Sequence, residues 1–495
     1  MFRSCFAVLI SGIFLTTYAA PSQSRTPDAA ALLKAATAAL GAENLKTVEF
    51  SGNGWDACLG QAWNVNSDRW ARWELRDYNR VIDFDSSSSR HTAQQRAGMD
   101  ANALGGCGAA PDAMARPQQS TVNSMSPWPQ QLQIWLTPYG FIRLANENKA
   151  TAETQTAAGR TLNVVTFNVQ RGNTTYRMRG YLSSDNLVEK IETWIDDPIF
   201  GDMLVEAEFS GYRNFDGLRF PARILHKQGG LGIFELNVDK VIPNSTASTA
   251  PPQAAGQRGG APAGGGGRGA APAAAPPAPF TELSPGVFVF DGAYQAVAVA
   301  FNDYSVVIDG MQSEARTRAL IDLTKKAIPG KPIRYVVVTH THFDHVTGLR
   351  DFVGEGATII THDLNVKFFE RALSTPRTLN GEPDARKGTA PKLLGFGDRY
   401  VLTDGKQTVE LHHIRGHVHA DDMVIAYIPS ARTIVESDLV QPWISPQFTS
   451  VPYLTHLANE LDRLKLNYDS FVSIHRPTPP PVVTREAFLA SIGRK

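Results

Sequence analysis

Within the stretch Val336-Val-Val-Thr-His-Thr-His-Phe-Asp-His345, three histidines and an aspartate fall inside six residues: His340, His342, Asp344 and His345. The chain holds only twelve histidines among 495 residues, so composition does not explain the cluster. Imidazole nitrogen and carboxylate oxygen together suit Zn²⁺ and similar borderline cations. The β-branched run before the cluster reads as a buried strand, and a strand end followed by a loop can aim several such ligands at one point.

The elements that must position this cluster follow from the surrounding pattern. From Phe280 onward, strands at Gly286–Asp291, Ala296–Ala300, Tyr304–Ile308, Ile333–Thr339 and Ala357–Thr361 alternate with helices at Glu314–Ala327 and from Thr347. Such alternation predicts α/β layering. Asp309-Gly310 closes the third strand. Later come His419, ten residues before Pro429, then Asp438 at the end of Thr433-Ile-Val-Glu-Ser-Asp438, and His475 at the end of Phe471-Val-Ser-Ile-His475.

In these ordered motifs, residues 280–495 resemble the metallo-β-lactamase-fold hydrolases. The resemblance implies an α/β, four-layered αββα fold. It also implies two Zn²⁺ ions, with other divalent metals such as iron or manganese as alternatives. One ion would take His340, His342 and His419, and the second Asp344, His345 and His475, with Asp438 bridging them and Asp309 in a structural or supporting role. His417 competes with His419: the family's Gly-His dipeptide favours Gly416-His417, whereas the ten-residue spacing to Pro429 favours His419, which is the choice made. The remaining candidates, His362, His412, His413 and His456, read as ordinary sheet residues.

The chemistry implied is hydrolysis. Two cations sharing a water lower its pKa toward about 7, and the resulting metal-bridging hydroxide attacks an electrophilic centre while Asp344 orients it. A carboxylate at 438 resembles the lactonase, glyoxalase-like, sulfatase and phosphodiesterase branches, whereas zinc β-lactamases commonly carry Cys or Ser there. The expected activity is therefore dinuclear zinc-dependent hydrolysis of an ester, lactone or related carbonyl compound. A zinc β-lactamase is the alternative within the same chemistry. A ligand-binding carrier or sensor with a non-catalytic metal domain is the alternative from another class.

Charge excludes some partners. Lys+Arg and Asp+Glu are equal at 48 each, so no global field draws the chain to nucleic acid or an anionic membrane. Near the ligands only Arg415 and Arg476 stand out, which leaves a small-molecule substrate and no nucleic acid.

The first twenty residues read as a secretory signal peptide. One positive charge precedes the apolar run Phe6–Leu15, and small residues lead to Ala20-Pro21. This predicts a periplasmic or secreted protein without a transmembrane anchor in the mature chain. Cleavage would leave Cys58 and Cys107, which either pair or stay reduced.

Residues 24–243 read as a mainly antiparallel β domain. A helix is expected at Thr26–Leu40 and a strand at Lys46–Gly52, followed by a set of aromatics (Trp55, Trp63, Trp70, Trp73, Tyr78) assigned to a sheet core. Ser86–Thr121 reads as a long polar loop. Six strands are expected from Leu162 to Val241: Leu162–Gln170, Thr175–Ser183, Leu187–Trp194, Met203–Tyr212, Leu218–His226 and Gly232–Val241. Phe209–Pro221 resembles the strand-turn-strand pattern of lipoprotein-carrier-like half-barrels, which implies a hydrophobic ligand in this domain. Asn244–Pro279, rich in Gly, Ala and Pro, reads as a disordered linker. A flexible coil of its 36 residues spans roughly 30–35 Å, so the flanking domains are expected to have no fixed mutual orientation.

Overall fold

The computed structural model of the chain describes residues 27–66, 70, 72–97, 116–157, 159–251, 280–292, 294–440, 451–475 and 482–494. The signal-peptide reading, Cys107, most of the linker and Arg476 lie outside these residues. No helix among the described residues is long and apolar enough to cross a membrane.

The first helix, Ala29–Leu40, begins where the Asp28 carboxylate accepts from the Ala30 amide. It ends where Gly41 turns the chain at φ 66°, a conformation that glycine adopts without strain. It is followed by an eleven-stranded antiparallel sheet whose edges are Arg116–Val122 and Thr151–Ala157. Period-two burial is plain in Gly201–Ser210, where Met203, Val205, Ala207 and Phe209 point inward. Thr47–Ala57 lies inside the sheet, paired with Arg72–Asp83 on one side and Leu231–Pro243 on the other. Helices Trp128–Trp135 and Pro138–Glu147 cover one face, with Phe141 packed 5.2 Å from Phe167.

Two expectations change here. Ser86–Thr121 is not one loop, because Ser88–Ala97 and Arg116–Val122 are paired strands. Their Ser, Thr, Gln and Arg side chains carry little apolar alternation, so backbone pairing at the sheet edge specifies them instead. Leu218–His226 is two strands, Leu218–Phe220 and Arg223–Gln228, broken at Pro221, which cannot donate to a ladder.

Beyond residue 280 the chain forms a seven-stranded sheet starting at Phe280–Ser284 and a six-stranded sheet starting at Arg399–Thr403. Valines and isoleucines of both sheets, among them Val297, Ile308, Val337, Val409, Val424 and Val472, form the apolar layer between them. The second sheet's outer face is covered by helices Val451–Leu464 and Arg485–Ser491 through Leu457, Leu461 and Phe488. The first sheet's outer face carries helices Glu314–Ala327, Leu349–Gly354 and Val366–Ser374. The result is the four-layered αββα order.

The two halves are not independent in this structure. Phe343, inside the histidine motif, has its ring 6.1 Å from Trp70 and 5.9 Å from Phe200, both of the first half. Arg377 joins Asp196 and Glu314 across the boundary, and the buried Arg350 donates to the carbonyls of Ile199, Ala372 and Thr375. The expectation of unfixed orientation, drawn from linker composition alone, overlooked this docking surface. A linker composition of Gly, Ala and Pro does not prevent an apolar and ionic interface from forming between the segments it joins.

Two outcomes follow. Arg377→Met leaves Asp196 and Glu314 without their shared cation and should cost about 2–4 kcal/mol in urea unfolding. Burial pushes the Asp351 carboxyl up to about 6, against a smaller opposing pull from Arg318. A raised acid binds its proton more tightly in the folded state. Its contribution is therefore most favourable below about pH 4 and is lost as pH rises through about 6. Asp351→Asn should thus stabilise relative to the parent by on the order of 1–3 kcal/mol at pH 7, but not at pH 4, as thermal melts at both pH values would show.

Candidate metal centre

The site is assembled at strand ends. Asp309 follows Ser305–Ile308, the histidine motif follows Ile333–Val337, Asp438 follows Thr433–Glu436 and His475 follows Ser470–Ser473. The first two strands run parallel to each other, as do the last two, so in each sheet the carboxyl ends open on one side. Ligand sites favour such edges in open α/β sheets. Asp309 and Asp438 leave their strands in the left-handed region, at φ 55° and 59°, which aspartate tolerates better than most residues.

Two groups of side chains converge. His340, His342, His419 and Asp438 form one, all buried; Asp344, His345 and His475 form the other. His340 Nε2 lies 3.2 Å from His419 Nε2, and His345 Nε2 lies 2.9 Å from His475 Nε2. Asp438 reaches both groups: Oδ2 is 3.0 Å from His419 Nε2 and 3.3 Å from His340 Nε2, while Oδ1 is 2.9 Å from His475 Nε2. Imidazole nitrogens face each other at such distances only with a proton or a cation between them. Tetrahedral zinc with bonds of ~2.05 Å holds neighbouring ligand atoms about 3.3 Å apart, so the donor set fits the ion. His342 adds a second sign, because its Nδ1 is buried without a hydrogen-bond partner while its Nε2 faces the Ala62 carbonyl at 3.2 Å.

Supporting contacts fix the rings. The Asp309 carboxylate lies 3.0 Å from His345 Nδ1, which leaves Nε2 directed at the second group. Thr339 donates to the same carboxylate. Asp422 accepts from the Thr341 amide at 2.8 Å and from Asn365 at 2.7 Å, holding the loop between the first two histidines. Burial works against ionised Asp438, yet His475, His345 and His419 outweigh it and hold this carboxyl well below the usual range. Burial, reinforced by His340 and His419, holds the His342 ring neutral.

His417 is buried outside both groups. Its Nδ1 accepts from the His419 amide and its ring packs 4.3 Å from Tyr453. His412 and His413 lie on a strand, paired to Glu410 and to the Asp421 carbonyl, while His362 and His456 make local contacts. Arg415 pairs with Asp398.

The side chains of Asp344 (29% exposed) and His475 (12% exposed) are the open edge of the centre, whereas His340 and His419 are sealed. Two residues on this edge escaped the sequence reading. The Tyr294 hydroxyl donates to Asp344 Oδ2 at 3.0 Å and its ring lies 4.2 Å from that of His475. Gln61 donates from Nε2 to Asp344 Oδ1 at 3.1 Å. Neither belongs to a motif, and Gln61 lies 283 residues from its partner. Trp63, assigned to a sheet core, instead donates to the His417 carbonyl at 3.0 Å.

Residues 290–471 match the model of the metallo-beta-lactamase superfamily. Among curated proteins, the 2,4-dinitroanisole O-demethylase subunit alpha of Nocardioides sp. (strain JS1661) is 23% identical over 190 residues, 38% of this chain and 54% of that one. The chain thus spans about half the length of that relative. Similar solved structures include a metallo-beta-lactamase from Pontibacter korlensis, 17% identical with a TM-score of 0.34, covering 43% of this chain and 96% of that one. FIM-1 from Pseudomonas aeruginosa in its mono-zinc form is 18% identical with a TM-score of 0.34, covering 45% and 95%. The inverting sec-alkylsulfatase Pisa1 from Pseudomonas sp. is 18% identical with a TM-score of 0.33, covering 43% and 41%.

Replacing His419 by Ala should lower zinc affinity by 100-fold or more, and His417→Ala should leave zinc content unchanged, as measured by metal analysis after dialysis. Asp309→Asn should weaken zinc binding by about 10–100-fold through loss of the carboxylate that orients His345.

Proposed function

We propose, for a chain whose C-terminal part carries the metallo-β-lactamase superfamily fold, that the protein is an exported dinuclear zinc-dependent hydrolase of an ester, lactone or related carbonyl substrate. The observation that carries this reading is the pair of His/Asp groups meeting at Asp438, one sealed and one open toward Asp344 and His475. His340, His342 and His419 would hold one ion, and Asp344, His345 and His475 the other. Bound there, zinc supplies Lewis acidity for a substrate oxygen and acidifies a water at neutral pH.

The chain's own residues do the rest. Asp438 links the two groups through its two oxygens. Asp344, fixed at Oδ2 by the Tyr294 hydroxyl and at Oδ1 by Gln61, presents its carboxylate at the open edge, where it would orient the attacking water. Burial of His340 and His419 excludes water from the far side. The export reading rests on the apolar run Phe6–Leu15, and a hydrophobic ligand for the first domain rests on its sheet pattern alone.

The similar Nocardioides protein is named for O-demethylation of 2,4-dinitroanisole, so this aryl ether belongs in the test panel beside a chromogenic ester, a lactone series and a cephalosporin. The full chain loaded with zinc should turn over an ester or lactone, lose that activity in chelator and regain it with zinc. Asp344→Asn should lower kcat by about 10²–10⁴-fold. Cephalosporin cleavage alone would move the assignment to a β-lactamase. Turnover that is absent, or indifferent to chelator, would favour the carrier or sensor.

A further inference from the structure

The catalytic carboxylate proposed above is held from outside its own domain. The segment Cys58–Asn66 leaves the strand Thr47–Ala57 of the first half and runs against the histidine motif. Its backbone meets the motif at two points and Asp421 at a third. The Gly60 carbonyl accepts from the Phe343 amide at 3.0 Å, the Ala62 carbonyl faces His342 Nε2 at 3.2 Å, and the Trp63 carbonyl accepts from the Asp421 amide at 2.7 Å. Asn64 donates to Asp421 at 2.9 Å. Gly60, at φ 90°, sits so close to the Phe343 ring that a Cβ would lie 2.3 Å from Cγ. Cys58, at the segment's start, is disulfide-bonded. These contacts set the segment against the motif, so the placement of Gln61 is an anchored one.

Gln61 Nε2 donates to Asp344 Oδ1, and its Oε1 is buried with no partner among the described residues. The orientation of the amide follows, because a carboxylate accepts only from the NH₂ end. Asp344 is thereby gripped on both oxygens, by Tyr294 from the C-terminal half and by Gln61 from the N-terminal half.

We propose that Gln61 is a positioning residue through which the N-terminal half sets the metal affinity of the Asp344–His345–His475 group. The inference rests on the two-ion reading of the site but not on what the protein hydrolyses. Held at Oδ2 alone, by Tyr294 and opposite His475 at 3.3 Å, the carboxylate can turn about its Cβ–Cγ bond, and the donor from Gln61 at Oδ1 removes that freedom. Outer hydrogen bonds to metal ligands are worth about 10–100-fold in affinity.

The test uses the full chain with Gln61→Met, which keeps the volume and drops the donor, and Gln61→Ala, which drops both. Cobalt(II) titration of metal-free protein, followed by visible absorption and calorimetry, resolves the tighter and weaker ions. Both variants should bind one of the two ions about 10–100-fold less tightly, with an altered cobalt spectrum for that step only. The other ion and the melting temperature of the metal-free protein should stay as in the parent. A Gln61→Met variant with the parent's two affinities and spectrum overturns the proposal, as does equal weakening of both steps. Binding of a single ion by the parent overturns both this proposal and the two-ion reading. A parent that binds two ions yet turns over none of the panel overturns the hydrolase reading alone, because the titration still decides the role of Gln61.

Discussion

Five imidazoles and two carboxylates converge within a few ångströms, mostly out of contact with water, and this concentration of polar groups is the constraint on which the rest of the structure depends. Burying a charge or an unpaired polar atom is costly unless something of opposite sign meets it. The fold answers by splitting the burden. Asp438 reaches both groups, Asp309 takes the back of His345, and the Ala62 carbonyl takes the back of His342. His345 and His342 are each left with one nitrogen to spend on a cation.

The same constraint explains why the ligands sit where strands end. Thr433–Glu436 is buried throughout and Ile333–Val337 at Ile333, Val336 and Val337, and these hydrogen-bonded strands deliver His340 and Asp438 at their ends. Asp309 and Asp438 turn sharply out of their strands in a left-handed conformation, so that the carboxylates face back over the strand ends instead of following the chain away. Rigidity of the scaffold and crowding of polar groups are thus two sides of one design.

Sequence reading reached the parts that chemistry writes locally. The histidine motif, the helix Glu314–Ala327 and the strands of the C-terminal half leave signals within a few residues, and the seven ligand candidates are gathered in space into two groups. It failed where specification is carried by something other than side-chain pattern. The polar strands Ser88–Ala97 and Arg116–Val122 are held by backbone pairing at a sheet edge, and no alternation announces them. Gln61 and Tyr294 are common residues in unremarked positions, made relevant only by folding across 283 and 50 residues. The docking of the two halves leaves no signal in the Gly, Ala and Pro composition between them, and residues 252–279 lie outside the described structure.

The strand Thr47–Ala57, from which the segment bearing Gln61 departs, is an interior strand of the eleven-stranded sheet, paired along its length on both sides. Its end is therefore a stiff mount for a short wall that faces the metal centre without supplying a ligand to it. The seven candidate ligands lie in the C-terminal half and the wall beside them in the other, so the surroundings of the site can change through substitutions far in sequence from any residue that would hold an ion.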